Sequence, residues 1–141
     1  MRTIYRVLDW PTQLSEWAWD IRGSKYEWGL TDCGQLPRAA LYKMFGEDIF
    51  PALPDWTNAY QAYRRLRKMG SIEELLVGLG AIPCTRNLLQ NGAIVVQDLG
   101  RRLPAIFVYV EPILITSHPE TGVQWYEREE MEPGGVGFNL W

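Results

Sequence analysis

The sequence runs Tyr26-Glu27-Trp28-Gly29-Leu30-Thr31-Asp32-Cys33-Gly34 at the point where an aromatic, glycine-containing loop leads into the start of a helix. Thr31 and Asp32 are residue types that cap helices, because their side-chain oxygens accept hydrogen bonds from unpaired N–H groups. The stretch therefore predicts that a helix begins here and that Cys33 lies at its start.

A cysteine in this position can be a nucleophile. The first N–H groups of a helix carry partial positive charge, which favours a thiolate over a thiol. The alternative is that Cys33 is a small, buried apolar residue, which is what free cysteines most often are. Both interpretations of Cys33 remain open at this point.

Composition limits the classes of protein to consider. A chain of 141 residues, 47% hydrophobic and 22% charged, fits one domain spanning residues 1–141. The net charge of −3 provides no global field for nucleic acid, so we expect no nucleic-acid partner. No apolar run is long enough to enter a membrane. Cys33 and Cys84 lack metal-ligand spacing and are too few for a disulfide scaffold, so we expect no metal and no cofactor.

Aromatic content is high, with seven Trp and seven Tyr. Such residues either fill the core of the domain or form contacts with partners, where large rigid side chains are enriched. Trp19 lies off the apolar stripe of its predicted helix, and Trp141 is the last residue of the sequence. These two tryptophans are therefore the first candidates for an interface.

Apolar spacing predicts four helices in the first half of the chain. The predicted helices cover residues 12–22, a second stretch from Thr31 or Asp32 to Gly46, residues 55–69, and a short stretch opened by Ser71 and Glu74 as a capping box. In the third, Trp56, Tyr60, Tyr63 and Leu66 are expected to share one face. The cations that crowd its end are interpreted as a solvated face, since positive charge complements a helix C-terminus; they are Arg64, Arg65, Arg67 and Lys68.

The second half changes character, because short runs rich in Val, Ile, Phe and Tyr are separated by turn residues such as Asn91-Gly92, which is typical of strands. Strands are predicted at residues 93–97, 105–110, 113–116 and 123–127, joined by short turns that favour an antiparallel meander. Residues 134–137 are Gly-rich and are predicted to form a flexible loop. The fold class is therefore α+β, with N-terminal helices packed on a C-terminal antiparallel sheet.

This order resembles the papain-like NlpC cysteine peptidases, which cut peptides of bacterial cell walls, and in particular the small phage-encoded NlpC-like tail proteins. The likeness is carried by Trp28-Gly29-Leu30-Thr31-Asp32-Cys33, by Gly46-Glu47-Asp48 and by Trp141. The segment around Cys33 is its specific part. The resemblance implies that Cys33 is the nucleophile and that Trp28, Gly29 and Asp32 belong to a binding loop.

The resemblance also implies a histidine base at the start of the second strand, and there the sequence departs from the family. Ala105 stands where the histidine is expected, and Phe107 where the family has glycine. Counting without gaps brings the family's orienting polar residue to Ser117, next to His118, the only histidine of the chain. A thiol needs a base near its own pKa, and no carboxylate replaces an imidazole easily.

Two hypotheses follow from this departure. In the first, the chain is a degenerate NlpC-like module that lacks the catalytic histidine and serves as a structural or assembly component of a phage tail tip. Its partners would be other tail-tip or hub proteins, in a symmetric oligomeric assembly, and its location the virion tail, or the host cytoplasm during assembly.

In the second, the chain is an active cysteine peptidase or amidase that cleaves peptidoglycan peptides. Cys33 would be the nucleophile, His118 the base and Ser117 the orienting residue, with a donor within residues 32–34 stabilising the oxyanion. Binding of peptidoglycan without cleavage lies between the two hypotheses.

Overall fold

A computed structural model describes residues 4–32, 34–49, 56–98, 104–131 and 134–140. Within these ranges four helices precede a six-stranded antiparallel sheet, which confirms the α+β class. The helices are α1 (Trp10–Ile21), α2 (Gln35–Phe45), α3 (Ala59–Met69) and α4 (Ile72–Gly78). The strands are β1 (Ile82–Cys84), β2 (Ile94–Gln97), β3 (Ala105–Val110), β4 (Ile113–His118), β5 (Gly122–Glu127) and β6 (Val136–Asn139). Two short 3-10 helices are η1 (Arg86–Leu88) and η2 (Arg128–Glu130).

Helix α1 begins two residues earlier than predicted. Pro11 lies in its first turn, where a missing N–H costs nothing because no intrahelical acceptor is available there. Leu14, Trp17 and Ala18 are buried on one face, as their spacing predicted. Gly23 adopts a φ of +76° and ends the helix.

Helix α2 carries its predicted inward face, since Leu36, Ala40, Leu41 and Met44 are all buried. Its first helical residue is Gln35, with Gly34 at the N-cap position rather than Thr31 or Asp32. The prediction for α3 was partly wrong, because Trp56 precedes the helix and Tyr60 is 63% exposed. The buried residues of α3 are Ala62 and Leu66.

The strand order is β1-β6-β2-β3-β4-β5, and all pairs are antiparallel. Strands β2 to β5 form the predicted meander. The prediction of a flexible loop at residues 134–137 was wrong for its second half. Val136 and Gly137 belong to β6, which lies between β1 and β2 inside the sheet.

Side chains from the two faces of the sheet build two clusters. The helix-side face contacts α1, α2 and α4 through residues that include Ile94, Ile106 and Ile115. The opposite face, here called the far face, carries Val95, Tyr109, Leu114 and other residues, packed against Leu89 and Met131. Because successive strand residues point to opposite faces, each strand position can be assigned to one side.

No helix in the described ranges is long and apolar enough to span a bilayer.

Candidate functional site

Asp32 organises the loop that leads into α2. Its side chain is fully buried and accepts three backbone hydrogen bonds. Oδ1 accepts from the N–H groups of Gly34 and Gln35, both at 2.9 Å, and Oδ2 accepts from Gly29 N–H at 2.6 Å. The carboxylate therefore ties the loop to the helix start, as a capping residue does, although Gly34 occupies the N-cap position.

These bonds also limit what the start of α2 can do chemically. An oxyanion hole needs N–H groups aimed at the developing charge and free to bind it. The N–H groups of Gly34 and Gln35 already donate to Asp32, and Leu36 N–H donates to the Asp32 carbonyl oxygen at 2.9 Å. The described backbone donors at this helix start are therefore occupied within the chain.

The loop before Asp32 is held by side-chain bonds and by a glycine turn. Glu27 N–H donates to Thr31 Oγ1 at 2.8 Å, and that hydroxyl donates to the Lys25 carbonyl oxygen at 2.7 Å. Gly29 has a φ of +83°, which favours glycine. Trp28 is half-buried, and its ring meets Tyr26 edge-on with centroids 4.9 Å apart.

Trp56 covers the start of α2. It is only 1% exposed, and a Cβ built on Gly34 would overlap its six-membered ring. The Trp56 cluster also contains Ala62 and Leu66 of α3, with Trp28 packed against it. Sequence reasoning missed this contact, since Trp56 was placed inside the third helix. The one signal in the sequence was Gly34 itself. Glycine favours a helix less than larger residues do, so its presence at the start of α2 indicates that another group packs close to the backbone.

Two of the predicted site residues, Cys33 and Trp141, lie outside the described residues. Asp32 and Gly34, which flank Cys33 in the sequence, are both described. The contacts of these two residues therefore define the surroundings of the helix start.

A small apolar cavity of about 20 Å³ reaches Gly34 from the helix-side face of the sheet. Its described lining is apolar throughout, namely Gly34, Pro37, Ile72, Leu75, Leu76, Ile94 and Ile106. The cavity is large enough for about one water-sized group. The strand positions that face the start of α2 across this cavity are thus isoleucines.

Ala105, at the position expected for the histidine, points away from this cavity. It alternates with Ile106, which lines the cavity, so its side chain lies on the far face with Phe107 and Tyr109. Sequence reasoning missed Ile94 and Ile106 as site-lining residues. The alternation along each strand could have identified them once the face towards α2 was known.

Ser117 and His118 point to opposite faces of the sheet. Ser117 shares the helix side with Ile113 and Ile115 and is 6% exposed, and its Oγ has no hydrogen-bond partner among the described residues. His118 lies on the far face, where its Nε2 is 2.9 Å from the Tyr126 hydroxyl. The structure does not bring these two side chains together, nor His118 to the start of α2.

Trp19 is 62% exposed, which agrees with its position off the apolar stripe of α1. Its ring meets Trp125 edge-on, with centroids 5.0 Å apart. The Arg22 guanidinium lies 4.4 Å from the Trp125 centroid and 5.5 Å from that of Trp19. The three side chains form one aromatic and cationic surface at the end of α1.

Among the described residues, no group of three or more His, Cys, Asp or Glu side chains could hold a metal ion. The second cysteine, Cys84, lies on β1 near Gly137 of β6. Burial raises the pKa of the Cys84 thiol, because desolvation disfavours the thiolate.

Comparison with protein families gives a match that covers the helix start, the cavity and most of the sheet. The profile of a family described as "Domain of unknown function (DUF6950)" matches residues 5–133. No curated protein matches the chain. Since the match spans more than half of the sequence, the chain belongs to the DUF6950 family.

Proposed function

We propose that this chain is a non-catalytic, NlpC-like domain that serves as a structural or assembly component of a phage tail tip. The resemblance carried by residues 28–33 motivates the proposal. The helices-then-antiparallel-sheet order and the Asp32-organised loop before α2 are compatible with it.

The observation that carries the proposal is the apolar cavity beside Gly34. A neutral thiol is a weak nucleophile and needs a base within hydrogen-bond reach, directly or through one water. Ile94 and Ile106 occupy the strand positions across the cavity, while the sole histidine lies on the other face of the sheet. Loss of a general base removes a factor of about 10² to 10⁴ in rate.

Exposed apolar side chains support a role in assembly. Trp19, Tyr5 and Leu8 are all more than half exposed, and Leu8 is fully exposed. Tryptophan and tyrosine are enriched in the centres of protein interfaces, where they bury much apolar area with few rotatable bonds. A chain that has lost a base can keep such a surface, because function resides in sites rather than in the fold.

The first test is incubation of the purified protein with bacterial peptidoglycan, followed by mass spectrometry of released peptides. Cys33→Ala and Cys84→Ala are the matched variants, and a known peptidoglycan hydrolase is the positive control. We expect no fragments from any form of this chain. Fragments released by the wild type and by Cys84→Ala, but not by Cys33→Ala, would replace the proposal with a cysteine peptidase that uses Cys33.

The second test concerns the location of the protein. Particles of the phage that encodes the chain would be cross-linked and analysed by mass spectrometry, alongside particles that carry Trp19→Ala. We expect cross-links to identified tail-tip proteins, and fewer of them in the variant. Particles that contain no copy of the chain, together with no binding of the isolated chain to purified tail-tip proteins, would overturn the structural role.

A further inference from the structure

The exposed face of α3 combines tyrosines with cations and contains no acid. The helix reads Ala-Tyr-Gln-Ala-Tyr-Arg-Arg-Leu-Arg-Lys-Met over Ala59–Met69. A groove on its surface is lined by Tyr60, Tyr63, Arg64, Arg67 and Lys68, here called the basic face. These positions follow the spacing of one helical face, so the five side chains project to the same side.

The cations of α3 have no acidic partner in the part of the chain that the structure describes. Arg67 instead donates to the Tyr63 hydroxyl at 3.2 Å. Arg64 and Lys68, four residues apart, are like charges that destabilise a helix by about 0.2 to 0.5 kcal/mol. The helix C-terminus accounts for Arg67 and Lys68, but Arg64 and Arg65 lie in the middle of α3. The charges of Arg64 and Arg65 are therefore uncompensated within the described chain.

A complementary surface occurs elsewhere on the same chain. Glu127, Glu129 and Glu130 are exposed around η2, and residues 127–130 are here called the acidic segment. Arg128 is its one cation, 3.3 Å from Glu129. Such exposed pairs contribute little, so the segment keeps a net negative charge.

The two surfaces lie on opposite sides of the sheet. Met131, which follows the acidic segment, packs in the far-face cluster, and Arg86 donates to the Glu129 carbonyl oxygen at 3.1 Å. Helix α3 packs on the helix side, through Leu66 and the Trp56 cluster, which shares Ile72 with the helix-side core. The basic face and the acidic segment of one chain therefore cannot meet each other.

We propose that the basic face of α3 binds the acidic segment of a second copy of this chain. The contact is heterologous, since two different surfaces meet, and its repetition builds a ring or a filament. Arginine and tyrosine are, together with tryptophan, the residue types enriched among the strongest contributors to protein interfaces, and they make up four of the five groove residues. This inference does not rest on the tail-tip function, and its test uses no phage component.

The test uses charge reversal on each surface. The basic-face variant is Arg64→Glu/Arg67→Glu. The acidic-segment variant is Glu127→Gln/Glu129→Lys/Glu130→Gln, which retains side-chain oxygens for the capping box of η2 while making the segment basic. The matched control is Lys25→Glu/Lys43→Glu, which reverses two exposed cations elsewhere. Circular dichroism verifies the fold, and sedimentation velocity over a concentration series measures assembly.

We expect the wild type and the control to associate at low salt and to dissociate at high salt, because screening shortens the range of the charges. Each variant alone should associate about tenfold more weakly or worse. An equimolar mixture of the two variants should recover association, since one native and one doubly reversed contact become available.

Two outcomes would overturn the proposal. The first is a wild type that stays monomeric at low salt, and the second is a basic-face variant that assembles as the wild type does. In the first case, the monomeric wild type is also tested with a short single-stranded oligonucleotide, and the result of interest is binding that is lost in the basic-face variant. That result would assign the groove to nucleic acid instead.

Discussion

Gly34 is a position where even a methyl group has no room. Its added Cβ would overlap the ring of Trp56, which is held between the start of α2 and α3. Overpacking of this kind costs about 1 to 3 kcal/mol. We therefore expect Gly34→Ala to lower the free energy of unfolding by about that amount in urea titrations followed by fluorescence.

The control is Gly78→Ala at the end of α4, where an added Cβ meets nothing within 4 Å. That change should leave stability unaltered or raise it by up to about 1 kcal/mol, since alanine favours a helix over glycine. Equal effects of the two substitutions would contradict the contact between Gly34 and Trp56.

Asp32 offers a second test of the helix start. Asp32→Ala removes the acceptor of three backbone N–H groups, and those of Gly34 and Gln35 are buried. Each buried donor left without a partner costs about 1 to 3 kcal/mol, so we expect a loss of about 3 kcal/mol in the free energy of unfolding. Asp32→Asn keeps one acceptor oxygen and should lose less. A neutral effect of Asp32→Ala would show that the loop is not tied to α2 in this way.

The thiol of Cys84 gives a prediction about pH. Since burial raises its pKa, its thiolate fraction at any pH near neutrality is below that of a free cysteine, and the thiolate is the reactive form. In the Cys33→Ala variant, the rate of alkylation by iodoacetamide should therefore rise at a higher pH than in an unstructured cysteine peptide. If the pH at which the alkylation rate is half-maximal is at or below that of the peptide, the pKa of Cys84 is not raised by burial.

At the scale of elements, strands β2 to β5 were predicted from the sequence, whereas strand β6 was not. Strands β2 to β5 are runs of four to six residues, rich in β-branched and aromatic side chains and bounded by turn residues, so their composition was sufficient. Residues 134–137 contain three glycines, which favour a loop. Gly137 is nevertheless a strand residue. Glycine is needed at this strand position because an added Cβ would overlap the Leu89 side chain and lie 2.9 Å from Cys84 Sγ. That tertiary requirement is not visible in a local pattern.

Strand β6 should behave as an interior strand in hydrogen exchange. It pairs with β1 on one side and β2 on the other, so its hydrogen-bonded amides are expected to exchange only on global unfolding, as those of β2 do. Native-state exchange read by mass spectrometry or NMR tests this. Exchange of β6 amides as fast as in the turn at residues 119–121 would place β6 outside the sheet.

In the candidate site, too, local contacts could be predicted from the sequence and tertiary contacts could not. The hydrogen bonds of Asp32 are local, because its side chain bonds to residues at most three positions away. The sequence therefore indicated a capping role for Thr31 or Asp32, although Gly34 holds the N-cap position. The apolar surroundings of Gly34 depend on which face of β2 and β3 meets α2, and a shift of one residue in register reverses that face. Ile94 and Ile106 could therefore be recognised as cavity residues only from the three-dimensional structure.

At the scale of the whole molecule, the two faces of one sheet carry two hydrophobic clusters, and different elements pack against each. Helices cover one face, whereas the far face is covered by side chains such as Leu89 and Met131, which directly follow η1 and η2. Asn139 joins these parts, since its side chain accepts from Gln90 N–H at 2.8 Å and donates to the Leu88 carbonyl oxygen at 2.9 Å. Because both clusters share the same strands, neither can come apart without loss of the sheet.

Leu114 and Ile115 allow this coupling to be tested with adjacent residues. Leu114 is 1% exposed on the far face and Ile115 is fully buried on the helix side. Each substitution to alanine should cost about 2 to 5 kcal/mol. In both variants, urea curves from tryptophan fluorescence and far-UV circular dichroism should coincide, because a small single domain unfolds as one unit. A Leu114→Ala curve that splits into two transitions, while that of Ile115→Ala does not, would mean that the far-face cluster unfolds separately from the helix-side core.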